Sequence, residues 1–165
     1  VVRPFSELGI VEKFSGLEQY HGIYSSCNRN FHIEGSRIEG RWCGDCPKCR
    51  FAALSLAIYM PPAKVSQIIG RDMLVDPGQA DGFRALCALG RDKPFECVGE
   101  SGESRAAMRE LANHPDWSGH AVVKALQPEL EGVQIPDMET LLEPSSRHLI
   151  PPQLAQAMGL SAEAT

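Results

Sequence analysis

The sequence predicts a mainly α-helical chain stapled near its start by a metal site, and three observations carry that expectation. Four cysteines, Cys27, Cys43, Cys46 and Cys49, follow a C-x15-C-x2-C-x2-C spacing. Apolar residues recur at helical intervals, as at Val65, Ile68 and Ile69, or at Phe83, Leu86, Cys87 and Leu89. Prolines and glycines cut the chain into short pieces, with Pro61-Pro62, Gly70, Asp76-Pro77 and Gly90 as the clearest marks.

In chain order, Val1-Val2-Arg3-Pro4-Phe5 reads as a strand running into a turn. A start at Val rather than Met suggests a piece cut from a longer protein. Ser6 is a plausible N-cap, and Glu7 suits the positive end of the helix that follows. Leu8, Val11 and Phe14 share its apolar face, Gly16 ends it, and Leu17 to His21 forms a further short turn. Gly22 to Ser26 is expected to be extended and to deliver Cys27. Phe31 to Trp42, with Gly35 and Gly40 as turn points, suits a small hairpin or irregular loop. Arg50 to Met60 is almost wholly apolar and reads as a buried helix halted by Pro61-Pro62. A short amphipathic turn ends at Gly70, and Asp76-Pro77 opens the next helix. Lys93 to Glu103 is a loop rich in reactive side chains, followed by helices over Ser104–Ala112 and Gly119–Leu126. Pro128, Pro136, Pro144, Pro151 and Pro152 divide the remainder, and Gly159 to Thr165 should fray. The division expected is a metal module with its core helix over 1–60, a helical region over 61–152 and a tail over 153–165.

Gly44 and Pro47 supply turn geometry between the last three cysteines, so successive thiolates can face one centre. Four thiolates form the closed tetrahedral set typical of structural zinc. An iron–sulfur cluster competes for the same ligands, and four unrelated thiols are the plain alternative. Disulfides fit poorly, because cysteines three apart strain disulfide geometry and nothing suggests secretion. A reducing, cytoplasmic setting is therefore expected. The formal net charge of -5 argues against nucleic acid as a general partner. No apolar run approaches the ~18 residues of a membrane span. No signal peptide is visible, although a missing N-terminus would hide one.

Three stretches carry a family resemblance: S-C-N-R (Ser26 to Arg29), R-W-C-G-D-C-P-K-C-R-F (Arg41 to Phe51) and K-P-F-E-C-V-G-E (Lys93 to Glu100). Together they resemble the bacterial UDP-N-acetylmuramoyl-L-alanyl-L-glutamate epimerases of the MurL type, from Val1 to about Pro152. More distantly the chain is similar to the C-terminal part of PP-loop ATP pyrophosphatase-like proteins. The resemblance implies the helical C-terminal portion of an α/β PP-loop-type enzyme. It also implies inversion of the terminal L-Glu of a nucleotide-sugar dipeptide, with ATP and Mg consumed as AMP and pyrophosphate are formed. The glycine- and serine-rich phosphate loop of the nucleotide-binding half is absent. The missing N-terminal half is thus an implied partner, and this chain should lack complete activity. The alternatives are another PP-loop adenylating enzyme of nucleoside or RNA modification, and a non-catalytic zinc-stabilised interaction domain.

Epimerisation needs a group that removes and returns an α proton. Cys97 is the candidate, in a loop where a nearby helix N-terminus favours a thiolate; its plain reading is a small buried hydrophobe. Glu96, Glu100 and Glu103 are candidate bases or magnesium holders, or simply solvated carboxylates. Arg29 is a candidate grip on a phosphate or carboxylate, or a surface ion pair, and Asn28 orients it or caps a turn. Glu103, Arg29 and Asn28 are the expected substrate contacts. Cys87 reads as core, His32 as a spare ligand beside a filled set, and His148 as a lone histidine without a defensible partner.

Overall fold

The computed structural model describes residues 2–31 and 38–160, and among these the regular structure is helical, with no strand. The first helix, α1 (Glu7–Ser15), begins where Ser6 Oγ accepts the Gly9 N–H at 3.0 Å. The same hydroxyl donates to the Leu141 carbonyl at 2.6 Å, so the cap also ties the start of the chain to its far end. A single turn, α2 (Glu18–His21), follows. Residues 2–5 form a turn and not the expected strand, closed by the Phe5 N–H on the Val2 carbonyl at 3.0 Å.

The helix that follows the cysteines, α3 (Pro47–Ala57), starts three residues before the expected Arg50, with Pro47 in its first turn. Phe51, Ala52, Ala53, Leu54, Leu56 and Ala57 are all buried, so from Phe51 onward the helix is apolar on every side and runs through the core. Its one hydroxyl, Ser55 Oγ, donates back to the Phe51 carbonyl at 2.7 Å and leaves no unpaired polar group inside. Pro61-Pro62 does not mark where α3 stops, since the helix already ends at Ala57; instead Pro61 caps α4 (Pro62–Ile69). Gly70 then turns the chain in the left-handed conformation at φ +90.

Asp76 Oδ1 accepts the Gly78 N–H at 2.9 Å and leads through a 3-10 turn into α5 (Ala80–Leu86). The longest helix, α6 (Ser101–Asn113), starts three residues before the expected Ser104 because Glu100 and Glu103 cap it reciprocally. The shorter α7 (Ala121–Leu126), α8 (Met138–Leu142) and α9 (Pro152–Ala157) complete the order. Helix α3 packs against α1, α4, α5 and α6, while α8 lies on α1. Trp117, fully buried beyond α6, donates its Nε1–H to the Met60 carbonyl at 3.2 Å and locks the end of α3 to the second half of the chain. Gly22 to Ser26 forms no strand. Half of the expected hairpin from Phe31 to Trp42, including Gly35, lies outside the described residues, as do His32 and the last five residues. Among the described residues no helix is long and apolar enough to cross a membrane.

Candidate functional site

The four cysteines meet. Cys27 enters from the segment before a 3-10 turn at Asn28–Asn30, Cys43 and Cys46 flank a tight knuckle, and Cys49 sits in the first turn of α3. Their Sγ atoms all lie within 4.8 Å of one another, with Cys43–Cys49 at 3.7 Å and Cys46–Cys49 at 3.4 Å. All four are free thiols. The knuckle depends on Gly44, at φ +66, where an added Cβ would also stand 2.7 Å from Arg71 Cδ. The Cys43 N–H donates to Cys27 Sγ at 3.3 Å, and backbone N–H groups of Asn28, Gly44 and Asp45 face the other sulfurs.

These donors favour thiolates, yet the sulfurs oppose one another. The hydrogen bond with Cys49 pulls Cys46 down to about 4, while that bond and then burial push Cys49 up. Burial raises Cys43 as well. Ionising both Cys46 and Cys49 this close together is unfavourable, and a cation between the sulfurs would offset that repulsion. One ion at about 2.3 Å from four sulfurs needs sulfur–sulfur edges of about 3.8 Å, which the observed spacings fit. Trp42, Tyr24 and Phe14 wall the cluster in a row of edge-on aromatic contacts, with centroids 5.0 and 4.6 Å apart. Burial, then the charge of Cys49, raises the Tyr24 phenol, so Tyr24 is neutral beside the sulfurs.

Lys93 to Glu100 comes back across this module. Gly99 is obligatory there for closeness: a Cβ would stand 2.3 Å from Phe51 Cζ and 2.9 Å from Glu103 Oε2. Asn28 Nδ2 donates to Glu96 Oε2, which joins the loop to the residue beside the first cysteine. Glu103 is buried, and its oxygens accept the Leu8 N–H at 3.1 Å and the Glu100 N–H at 2.7 Å. One carboxylate therefore closes the N-termini of both α1 and α6. Cys97 is exposed and lines a groove of about 300 Å³ with Glu7, Phe14, Tyr24, Lys48 and Phe51. Burial, then the nearby Glu103, raises the Glu7 carboxyl. Lys48 stands between two of the cysteines, half-buried, and pairs with no carboxylate among the described residues.

The profile of the MurL C-terminal domain matches residues 23–140, more than half of the chain and all of the cysteine module. The chain belongs to the MurL C-terminal domain family. A UDP-N-acetyl-alpha-D-muramoyl-L-alanyl-L-glutamate epimerase of Xanthomonas oryzae pv. oryzae is 46% identical over 158 residues, covering 93% of this chain and 35% of the relative. An epimerase of the same name from Micromonospora sp. is 38% identical over 160 residues, covering 96% and 35%. Another, from Salinispora tropica, is 42% identical over 126 residues, covering 76% and 27%. The chain thus spans about a third of the length of the curated relatives it matches. No solved structure matches it.

Within this MurL C-terminal domain, the expected site residues separate into three groups. Asn28, Glu96 and Cys97 come together beside the groove. Glu100 and Glu103 are engaged in capping the helix starts. Arg29 pairs with Asp45 at 2.9 Å on the surface, and Asp45 also holds Arg50 at 2.7 Å. The negative charge of Cys43, then Asp45, raises the Arg29 guanidinium further. Cys97 is not the buried hydrophobe of its plain reading; Cys87 is, and burial pushes it up to about 12. Sequence reasoning missed Lys48, Glu7 and Tyr24. The signal for Lys48 was present: a long cation inside the C-P-K-C turn must point away from the sulfurs, because both neighbouring ligands point toward them.

Proposed function

We propose that this chain is the C-terminal part of an epimerase that inverts the terminal L-Glu of UDP-N-acetylmuramoyl-L-alanyl-L-glutamate to D-Glu, in peptidoglycan precursor synthesis. Activation is by ATP. The glutamyl carboxylate attacks the α-phosphorus, pyrophosphate leaves, and an acyl-adenylate forms. Neutralising the carboxylate makes the α proton removable without a pyridoxal cofactor. Cys97 takes that proton from one face, and a second group at the groove returns a proton to the opposite face. Water then cleaves the acyl-adenylate to AMP and the D-glutamyl product. Glu96 and Glu100 are the next candidates for the second proton. Asn28, which bonds Glu96 of the loop, and its neighbour Arg29 are the groups proposed for substrate contact, and Glu103 serves by holding the loop's exit in place. Mg accompanies the ATP phosphates, and the nucleotide site belongs to the remainder of the longer protein.

The single observation that carries this reading is the exposed Cys97 on the wall of a groove in a chain whose relatives are named as this epimerase. The charge-bearing Lys48 in the same groove suits an acidic substrate. Zinc is the ion proposed for the cysteines: four sulfurs this close suit one tetrahedral ion, whereas an iron–sulfur cluster ligates through several irons and spreads its thiolates wider. The ion is structural, since four protein ligands leave no open position. The reduced thiols and the nucleotide substrates favour a cytoplasmic enzyme.

The test uses the full-length enzyme in deuterated water with ATP and the L-Glu substrate. Deuterium should enter the α position only with ATP present. Cys97→Ser should retain pyrophosphate release while exchange falls roughly 100-fold, the scale of a lost general acid/base. Equal loss of both would place Cys97 in binding or folding, and unchanged exchange would transfer the role to Glu96 or Glu100.

A further inference from the structure

A second cavity, remote in sequence from the cysteines, is built where the two ends of the described chain meet. The Ser145 N–H donates to the Pro4 carbonyl at 2.8 Å, which seats the N-terminal turn against the segment leading into α9. Between them lies a space of about 520 Å³ lined by Arg3, Arg147, His148, Leu149, Ile150 and Leu154. That size is within the range of small-molecule sites.

Its polar groups are all donors. Arg29, Arg50, Arg71, Arg84 and Arg91 each hold a carboxylate, but neither Arg3 nor Arg147 has a side-chain partner among the described residues. His148 Nδ1 accepts the Ile150 N–H at 3.3 Å, which leaves the proton of the neutral ring on Nε2. That Nε2 is buried and has no hydrogen-bond partner. With no accessible surface, that nitrogen lies behind the cavity wall, and the donors open to a ligand are the two guanidiniums. Two unpaired guanidiniums in a protein of net charge -5 concentrate local positive charge at this one place.

We propose that this cavity is a phosphoryl-anion site that takes the diphosphate of a nucleotide sugar. A carboxylate would be satisfied by one guanidinium in a bidentate pair. Two guanidiniums on separate residues call for the several oxygens of linked phosphates instead. The exposed Leu149 and Leu154 offer apolar surface to the adjoining ribose or base. Arg3 is four residues before Glu7, so the backbone of one residue lining the cavity lies within about 14 Å of the backbone of one lining the groove that holds Cys97. A substrate with its diphosphate here and its glutamyl end there would use the muramoyl and alanyl units as the spacer. The choice of uridine diphosphate over another diphosphate rests on the epimerase reading; the anion site stands on the geometry.

The experiment is calorimetric titration of the full-length protein with uridine diphosphate, uridine and inorganic pyrophosphate, for wild type, Arg3→Ala and Arg147→Gln. Uridine diphosphate and pyrophosphate should bind, with uridine at least about 100-fold weaker, as expected when charge-assisted bonds carry affinity. Each arginine variant should weaken uridine diphosphate about 10-fold or more at an unchanged melting temperature, because both side chains are exposed. Equal affinities in wild type and both arginine variants would overturn the site. Lost pyrophosphate affinity with uridine diphosphate affinity intact would overturn its assignment to the nucleotide sugar. Neither outcome depends on α-proton exchange, so failure of the epimerase reading is seen separately.

Discussion

Four cysteines of this chain sit with their sulfurs within 4.8 Å of one another, three of them buried, while Cys97 stands exposed on a loop between two glutamate-bearing turns. The contrast lies in what backs each thiol. Behind the quartet are a helix apolar on all sides from Phe51 onward, a row of edge-on aromatic rings and backbone N–H donors aimed at sulfur. Behind Cys97 there is a groove, and its loop is held only by flanking contacts: Asn28 on Glu96, and Gly99 against Phe51. Cys87, sealed in the core, is a third case. The same side chain is clustered with other thiols, exposed on a groove or sealed in the core according to its surroundings, so cysteine number alone says little about chemistry.

The largest way to break this contrast is to remove one sulfur from the quartet that could hold an ion. Purified protein should contain about one zinc per chain, and Cys46→Ser should lose both metal and cooperative unfolding. Structural zinc contributes about 10–16 kcal/mol in small domains, as much as the whole stability of an ordinary one. Elemental analysis that finds iron with acid-labile sulfide would sink the zinc assignment. Next in size, Leu54→Asp places a charge at the centre of α3 and should yield insoluble protein, an effect above about 4 kcal/mol. A soluble variant with an unchanged melting temperature would show that α3 is not the core.

Glu103→Ala should cost about 2–4 kcal/mol, from two backbone donors left unpaired at once, measured by denaturant unfolding. A loss under 1 kcal/mol would mean that water replaces the carboxylate. Cys97→Ser should leave zinc content and stability within about 0.5 kcal/mol of wild type, the opposite of Cys46→Ser.

The smallest effect concerns pH. Burial raises Glu7 above 4.5, so the folded state holds this proton more tightly than the unfolded chain. The resulting stabilisation is full below the unfolded value and is lost as pH rises through the folded one. Glu7→Gln should therefore raise the melting temperature slightly near neutral pH and leave it unchanged at about pH 4. A gain that persists in acid would assign the effect to packing rather than charge.

The quartet was legible because cysteines separated by two residues in a turn must converge, and that spacing survives in a sequence. So were Ser6 and Asp76 as caps, and Gly70 as a left-handed stop, since each depends on near neighbours. The start of α6 was not legible at Ser101, because its cap is a glutamate whose carboxylate is shared with Leu8, ninety-five residues away. Val2 to Phe5 has strand composition but no partner strand among the described residues, and a local hydrogen bond closes it into a turn. The groove was invisible for the same reason: Glu7, Lys48 and Cys97 are joined only by the packing of α1 on α3 and by a glycine-dependent approach of the loop.

Cys49 is both a member of the quartet and a residue of the first turn of α3. That double membership has a consequence for how the chain folds. The first turn of any helix is its slowest to form, because three residues are immobilised for a single hydrogen bond. Cys43, Cys46 and Cys49 are close enough in sequence to capture an ion while the rest of the chain is still unfolded, and doing so fixes this turn in advance. Cys27 then closes a longer loop onto a seed that already exists. Zinc added before dilution from denaturant should thus speed refolding, whereas zinc added afterwards should recover the native state only at the slower pace of unaided nucleation.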